Sequence, residues 1–172
     1  MGHQGGICGQ LLSTGLGTHS NRRHCRKTLL AALSYSCTSK RWLTSPDGIN
    51  WTTRTSGADN TWNSRTYGNG LFVAVSKTGT GNRVMTSPDG INWTTRTSAA
   101  DNSWRSIAYG NGLFVAVGQT GTGNRVMTSP DGITWTTRTA SAGTTWTSVT
   151  YGNCVVCAIT STRTANPVTT SP

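Results

Sequence analysis

Residues 104–139 read WRSIAYGNGLFVAVGQTGTGNRVMTSPDGITWTTRT, and this stretch decides the fold. Trp104–Tyr109 alternates polar and apolar residues, the pattern of a half-buried strand. Asn111-Gly112 follows between two strand-like runs, and both residues tolerate the positive φ that a tight hairpin turn needs. Leu113–Val117 is apolar without alternation, so this strand is expected to be covered on both faces. A polar Gly/Thr loop over 118–124 leads to a third strand over Arg125–Thr128. Ser129-Pro130-Asp131-Gly132 places Ser, Pro and Gly where a type I turn wants them. Ile133–Arg138 then reads as a fourth strand, with Ile133 and Trp135 on one face.

The same unit repeats along the chain. Trp51, Trp93 and Trp135 lie 42 residues apart, as do Trp62, Trp104 and Trp146, and Tyr67, Tyr109 and Tyr151. TSPDGINWTTRT at 44–55 recurs at 86–97 and returns at 128–139 with Thr134 in place of Asn. GNGLFVAV at 68–75 recurs at 110–117. Four short antiparallel strands in about 42 residues have the size and pattern of one β-propeller blade. The expected fold is therefore all-β, with four-stranded antiparallel blades in three to four repeats, an incomplete propeller. The 172 residues divide into a poorly structured basic segment, 1–28, and a repeat region, 29–172. The repeat region comprises a partial blade at 29–58, blades at 62–97 and 104–139, and a partial blade at 146–172. The last residues, Ser171-Pro172, begin another S-P-D-G turn, so the sequence is read as a fragment of a longer propeller. Blades bury their faces against neighbours, so self-association to close the ring is expected too.

The S-P-D-G-x-x-W segment resembles the Asp-box, or BNR-type, repeat of sialidase-like propellers. The whole unit is similar to the W-x-S-x-x-Y-G-N-G-x-F-V-A-V repeats of bacterial and phage propeller proteins. The resemblance covers about residues 40–172. In the usual Asp-box, S-x-D-x-G-x-T-W, Gly and Trp each stand one residue later than here, so a tighter turn is expected. The localisation is left open, with the lean toward a longer surface, secreted or phage-type protein. The resemblance leaves two alternatives to a binding module: a fragment of a sialidase-like glycosidase whose catalytic residues lie elsewhere, and a purely structural repeat.

Composition narrows the chemistry. The net charge is +10, of which residues 1–41 carry +6, so the repeat region is only mildly basic and nucleic-acid binding is not favoured. All five acids are Asp, and all three His lie in the first 24 residues. With no nucleophile–base pair to name, no catalytic residue and no enzymatic activity are expected. No apolar run approaches the roughly 18 residues of a membrane span. The five Cys (8, 25, 37, 154 and 157) match no disulfide framework. Cys154 and Cys157, read as lying on one strand, would point to opposite faces, so neither a metal nor a cofactor is expected.

Asp47, Asp89 and Asp131 occupy identical turns in different blades, and their carboxylates are assigned to turn structure. Trp51, Trp62, Trp93, Trp104, Trp135 and Trp146 hold fixed repeat positions and are assigned to blade packing. Trp42 replaces the Val of later units and is the exception, a tryptophan left for a ligand. Arg54, Arg96 and Arg138 are read as charges protecting an outer edge. The inter-blade loops (56–61, 98–103, 140–145) should emerge on the same face as the loops 76–82 and 118–124. A glycan or protein ligand would be met by Asp59, Asn60, Lys77, Asp101, Asn102 and Gln119 on those loops.

Overall fold

The computed structural model describes residues 30–33, 42–140, 143–160 and 168–171. Among them lie fourteen strands in four antiparallel sheets, each a meander in chain order. The first sheet contains β1 (Leu30–Leu33), β2 (Trp42–Ser45) and β3 (Thr52–Arg54). The second contains β4 (Trp62–Gly68), β5 (Leu71–Ser76), β6 (Val84–Ser87) and β7 (Thr94–Arg96). The third repeats this with β8 (Trp104–Gly110), β9 (Leu113–Gly118), β10 (Val126–Ser129) and β11 (Thr136–Arg138). The fourth contains β12 (Trp146–Gly152), β13 (Val155–Thr160) and β14 (Val168–Ser171). The segment 1–28 lies outside the described residues, as do Cys8, Cys25 and Cys37.

The apolar runs take the buried middle of each blade. Val73, Ala74 and Val75 of β5, and Phe114, Ala116 and Val117 of β9, are essentially inaccessible, as expected for strands covered on both faces. The Asn-Gly turns hold the required backbone, with φ of 49° at Asn69 and Asn111 and 75° at Gly70 and Gly112. In the last unit Cys154 takes the glycine's place at φ 62°. It therefore sits in the turn rather than on the strand with Cys157.

Three apolar cores alternate with the sheets. The first joins Leu33 and Trp42 to Trp62 and Met85. A second joins Val73 and Val84 to Trp104, Phe114 and Trp135. The third joins Val115 and Val117 to Trp146, Val149 and Ala158. Trp62, Trp104 and Trp146 are buried in these cores, each at a first strand. First strands of successive blades are also laced by serines. Ser64 Oγ accepts from Ile107 N–H at 3.2 Å, and Ser106 Oγ accepts from Val149 N–H at 3.1 Å.

Two further expectations need correction. Trp42 is fully buried rather than available to a ligand. Its indole N–H donates to Gly90 O at 2.9 Å, and its ring meets Trp93 edge-on at 4.1 Å. The reason is volume. Ala31 and Leu30 stand where later units have Val and Phe, and a larger residue at position 42 fills the space. The fourth strand is also shorter than Ile133–Arg138: only Thr136–Arg138 pairs with β10. Asp131 Oδ1 accepts from both Ile133 N–H and Thr134 N–H at 2.8 Å, which withdraws those groups from strand pairing. Ile133 is left 44% exposed while Trp135 turns inward, so the two do not share a strand face.

Candidate functional site

The loops between sheets and those joining second to third strands meet along one rim. Lys77 N–H donates to Thr61 O at 3.0 Å, and Gln119 N–H to Ser103 O at 2.9 Å. Ser98 N–H reaches back to Gly81 O at 3.1 Å, and Ala140 N–H to Gly123 O at 3.3 Å. The inter-sheet loop 98–103 is therefore tied to the second-to-third-strand loops both before and after it, loop 56–61 to the one after it, and loop 140–145 to the one before it. Backbone groups that would otherwise face water are paired, which fixes the rim's shape.

The six loop residues singled out in the sequence all fall on this rim, but in different roles. Asn60 and Asn102 are buried. Asn60 Nδ2 donates to Asn82 O at 2.9 Å, and Asn102 Nδ2 to Asn124 O at 2.7 Å. Their amides hold loops together. Asp101 is exposed and bridges successive units: Oδ1 accepts from Gly81 N–H at 2.8 Å and lies 3.5 Å from Arg83 Nε. Asp59 is exposed on the equivalent loop, while Lys77 and Gln119 are half-buried. One repeat on, Gly143 replaces Asp101, and Arg125 Nη1 donates instead to Gly143 O at 2.7 Å. The loop carboxylate is thus lost at Gly143 while the arginine that met it one repeat earlier is kept and bonds to backbone instead.

The aspartates assigned to turns are held as that chemistry requires. Asp47 Oδ1 accepts from Asn50 and Ile49 N–H, each at 2.9 Å, and from the Ser45 hydroxyl. The backbone N–H of Asn50, its side-chain amide and the Ile49 N–H together hold the Asp47 carboxyl well below the usual carboxylate range. Asp131 is drawn down to about 2, chiefly by the backbone N–H groups of Thr134 and Ile133. Within the same turns the indole N–H of Trp51, Trp93 and Trp135 donates to Gly48, Gly90 and Gly132 O respectively. Arg54, Arg96 and Arg138 each direct Nε onto the threonine of the neighbouring strand, Thr44, Thr86 and Thr128.

Sequence reasoning passed over Arg65. It lies in the register of Ile107 and Val149, which are core residues. Its guanidinium donates to Ala31 O and lies 5.7 Å from the Trp42 ring centroid. Burial pulls its pKa down to about 10, so it stays charged at neutral pH. A charge standing in a column of aliphatic residues is the signal that would have found it.

No family model matches the chain, and no curated protein matches it in sequence. Solved structures do. The chain is similar to the computationally designed Ika4 protein, with TM-score 0.63 and 11% identity, over 99% of this chain and 98% of that one. It is similar to YCF48 bound to D1 peptide, with TM-score 0.58 and 18% identity, over 79% of this chain and 46% of that one. YCF48 from Cyanidioschyzon merolae matches with TM-score 0.50 and 14% identity, over 83% of this chain and 55% of that one. The chain thus spans about half the length of the YCF48 chains. At these identities the likeness concerns the fold alone, and that fold is a β-propeller-like repeat of four antiparallel sheets.

Proposed function

We propose that this chain is a non-enzymatic repeat scaffold that binds a protein ligand through its loop rim. The observation that carries the reading is the hydrogen-bonded rim itself. Interlocked loops present Asp59, Lys77, Asp101 and Gln119 on a frame that is already ordered, so binding costs little conformational entropy. One of the similar structures, YCF48, holds the D1 peptide, which favours a peptide segment over a glycan as ligand. The non-enzymatic part rests on composition: there is no Glu, and no His beyond residue 24. Kinship with the Asp-box and membership of a longer propeller belong to the same proposal, supported by the carboxylate-centred S-P-D-G-x-x-W turn.

The test immobilises the full chain and screens displayed random peptides and a glycan array. A variant with Asp59→Ser, Lys77→Ala and Gln119→Ala serves as the comparison. The reading expects enriched peptides whose affinity falls by about tenfold or more in the variant. Silence on both screens would overturn it in favour of a purely structural repeat, and peptide hits that ignore the variant would overturn the rim as the binding site. Glycan hits in place of peptides would overturn the protein ligand.

A further inference from the structure

The sheet registers sort the charged side chains between the two ends of the blades. Arg54, Arg96 and Arg138 end the outer strands β3, β7 and β11. They stand opposite Trp42, Val84 and Val126, the first residues of β2, β6 and β10. That is the end of the blade from which the rim loops leave. Lys77 lies in the loop 76–82, Arg83 closes it, and Arg125 closes the loop 118–124. Arg105 follows the loop 98–103, next to Trp104, which pairs with Gly118. Arg65 is the one other cation among the described residues, and it lies mid-strand opposite Ala74.

The carboxylates sort the other way. Asp47, Asp89 and Asp131 lie in turns that follow Ser45, Ser87 and Ser129, at the opposite end of the strands. Asp59 and Asp101 alone stand on the rim, and the loop 140–145 brings no acid. Seven cations therefore gather with two carboxylates at the rim, while the far end carries carboxylates only, among the described residues. Such segregation gives the rim a positive potential that acts beyond any single contact.

The rim cations divide by how they are held. Arg83 donates from Nε to Gly79 O and from Nη1 to Lys77 O, and Arg125 donates to Gly121 O and Gly143 O. Those bonds brace the loops, yet a carbonyl does not neutralise the charge. Arg54, Arg96 and Arg138 are each fixed through Nε on a threonine hydroxyl, at 3.0, 3.0 and 2.8 Å. Held by the inner nitrogen, a guanidinium takes a carboxylate bidentately on its paired Nη nitrogens. Arg138 is exposed and the other two are half-buried, so one oriented fork recurs in each of three successive units.

We propose that the ligand of the rim is an acidic polypeptide segment whose carboxylates meet Arg54, Arg96 and Arg138. This inference rests on the rim reading above and names the chemistry of its partner. Two observations favour a polypeptide over a nucleic acid. Asp59 and Asp101 are exposed among the cations and would oppose a continuous phosphate chain, whereas a peptide can space its acids around them. The rim loops contain no Phe, Trp or Tyr, so they offer no ring on which a base could stack.

The test titrates the full chain into a labelled peptide of repeated Gly-Ser-Glu and reads fluorescence anisotropy. The comparison probes are the Gly-Ser-Gln counterpart and a labelled single-stranded oligothymidylate. The acidic peptide should bind about tenfold or more tighter than the neutral one, and its affinity should fall as salt is raised. The variant Arg54→Gln, Arg96→Gln and Arg138→Gln, checked by thermal melting, should weaken it about tenfold or more. Should that variant unfold, the salt series and the glutamine peptide on the unaltered chain still decide. Equal affinity for the two peptides, indifference to salt, or a folded variant that binds unchanged would overturn the proposal. Oligothymidylate binding tighter than the acidic peptide would overturn it in favour of a nucleic-acid partner. Random peptides that depend on the rim but carry no excess of Asp or Glu would overturn it and leave the rim reading standing. With no rim-dependent peptide of any kind, both fall.

Discussion

At the scale of single residues, the repeated Tyr-Gly pair shows how one blade constrains the next. A methyl group on Gly68 would collide with the Tyr109 ring, and one on Gly110 with the Tyr151 ring. Neither glycine is among those with positive φ, so the requirement is close approach rather than backbone freedom. Gly110→Ala is expected to cost about 1–3 kcal/mol by overpacking. Gly152→Ala should be tolerated, because nothing lies within 4 Å of its added Cβ. Thermal melts of the two variants check this, and equal losses would sink the argument. Cys154 makes the converse case. It holds φ 62° where Gly70 and Gly112 hold 75°, and a side chain in that region carries strain. Cys154→Gly should stabilise the chain by about 1 kcal/mol, read by denaturant unfolding. The Asn-Gly turn was legible in the sequence because its signal is local. The tyrosine stacking was not, because the partners lie a full repeat apart.

The element that distinguishes this repeat is the S-P-D-G-x-x-W turn. Its aspartate accepts from the N–H groups two and three residues on, its serine hydroxyl accepts from the glycine N–H, and its glycine carbonyl receives the indole N–H. Alternation of Ile133 and Trp135 imitates a strand, and only the competition of Asp131 for the backbone shows otherwise. That competition has a pH signature. The folded carboxyls titrate below the ordinary Asp value of about 3.9. Their contribution is therefore fully present above that value and is lost as pH falls through the folded values, which for Asp131 lies at about 2. Melting temperature should decline between about pH 4 and pH 2 from this source. In a triple variant, Asp47→Asn, Asp89→Asn and Asp131→Asn, the neutral-pH stability should be lower and the acid slope flatter. An unchanged slope would show that the turns do not set the acid response.

At the scale of the whole molecule, the period of 42 residues made the sheets and their order legible, because each unit states its strands three times over. What the period hid is how interfaces differ. Ala31 opposite Arg65, Val73 opposite Ile107 and Val115 opposite Val149 fill one structural slot with different chemistry. Such compensation joins residues of neighbouring units and is invisible within either. The interfaces should therefore differ in stability as well. The second and third sheets are four-stranded and have apolar cores on both faces. The fourth has a core on one face only, among the described residues, and that core borders a cavity of about 450 Å³ lined by Leu113, Val115, Val149 and Val156. In a repeat array, stability is a sum of unit and nearest-neighbour terms, so a blade with one packed face opens first. Native-state hydrogen exchange should accordingly protect amides of β5 and β9 by about tenfold or more over their counterparts in β13. Equal protection in all three strands would mean that the four sheets open as one cooperative unit.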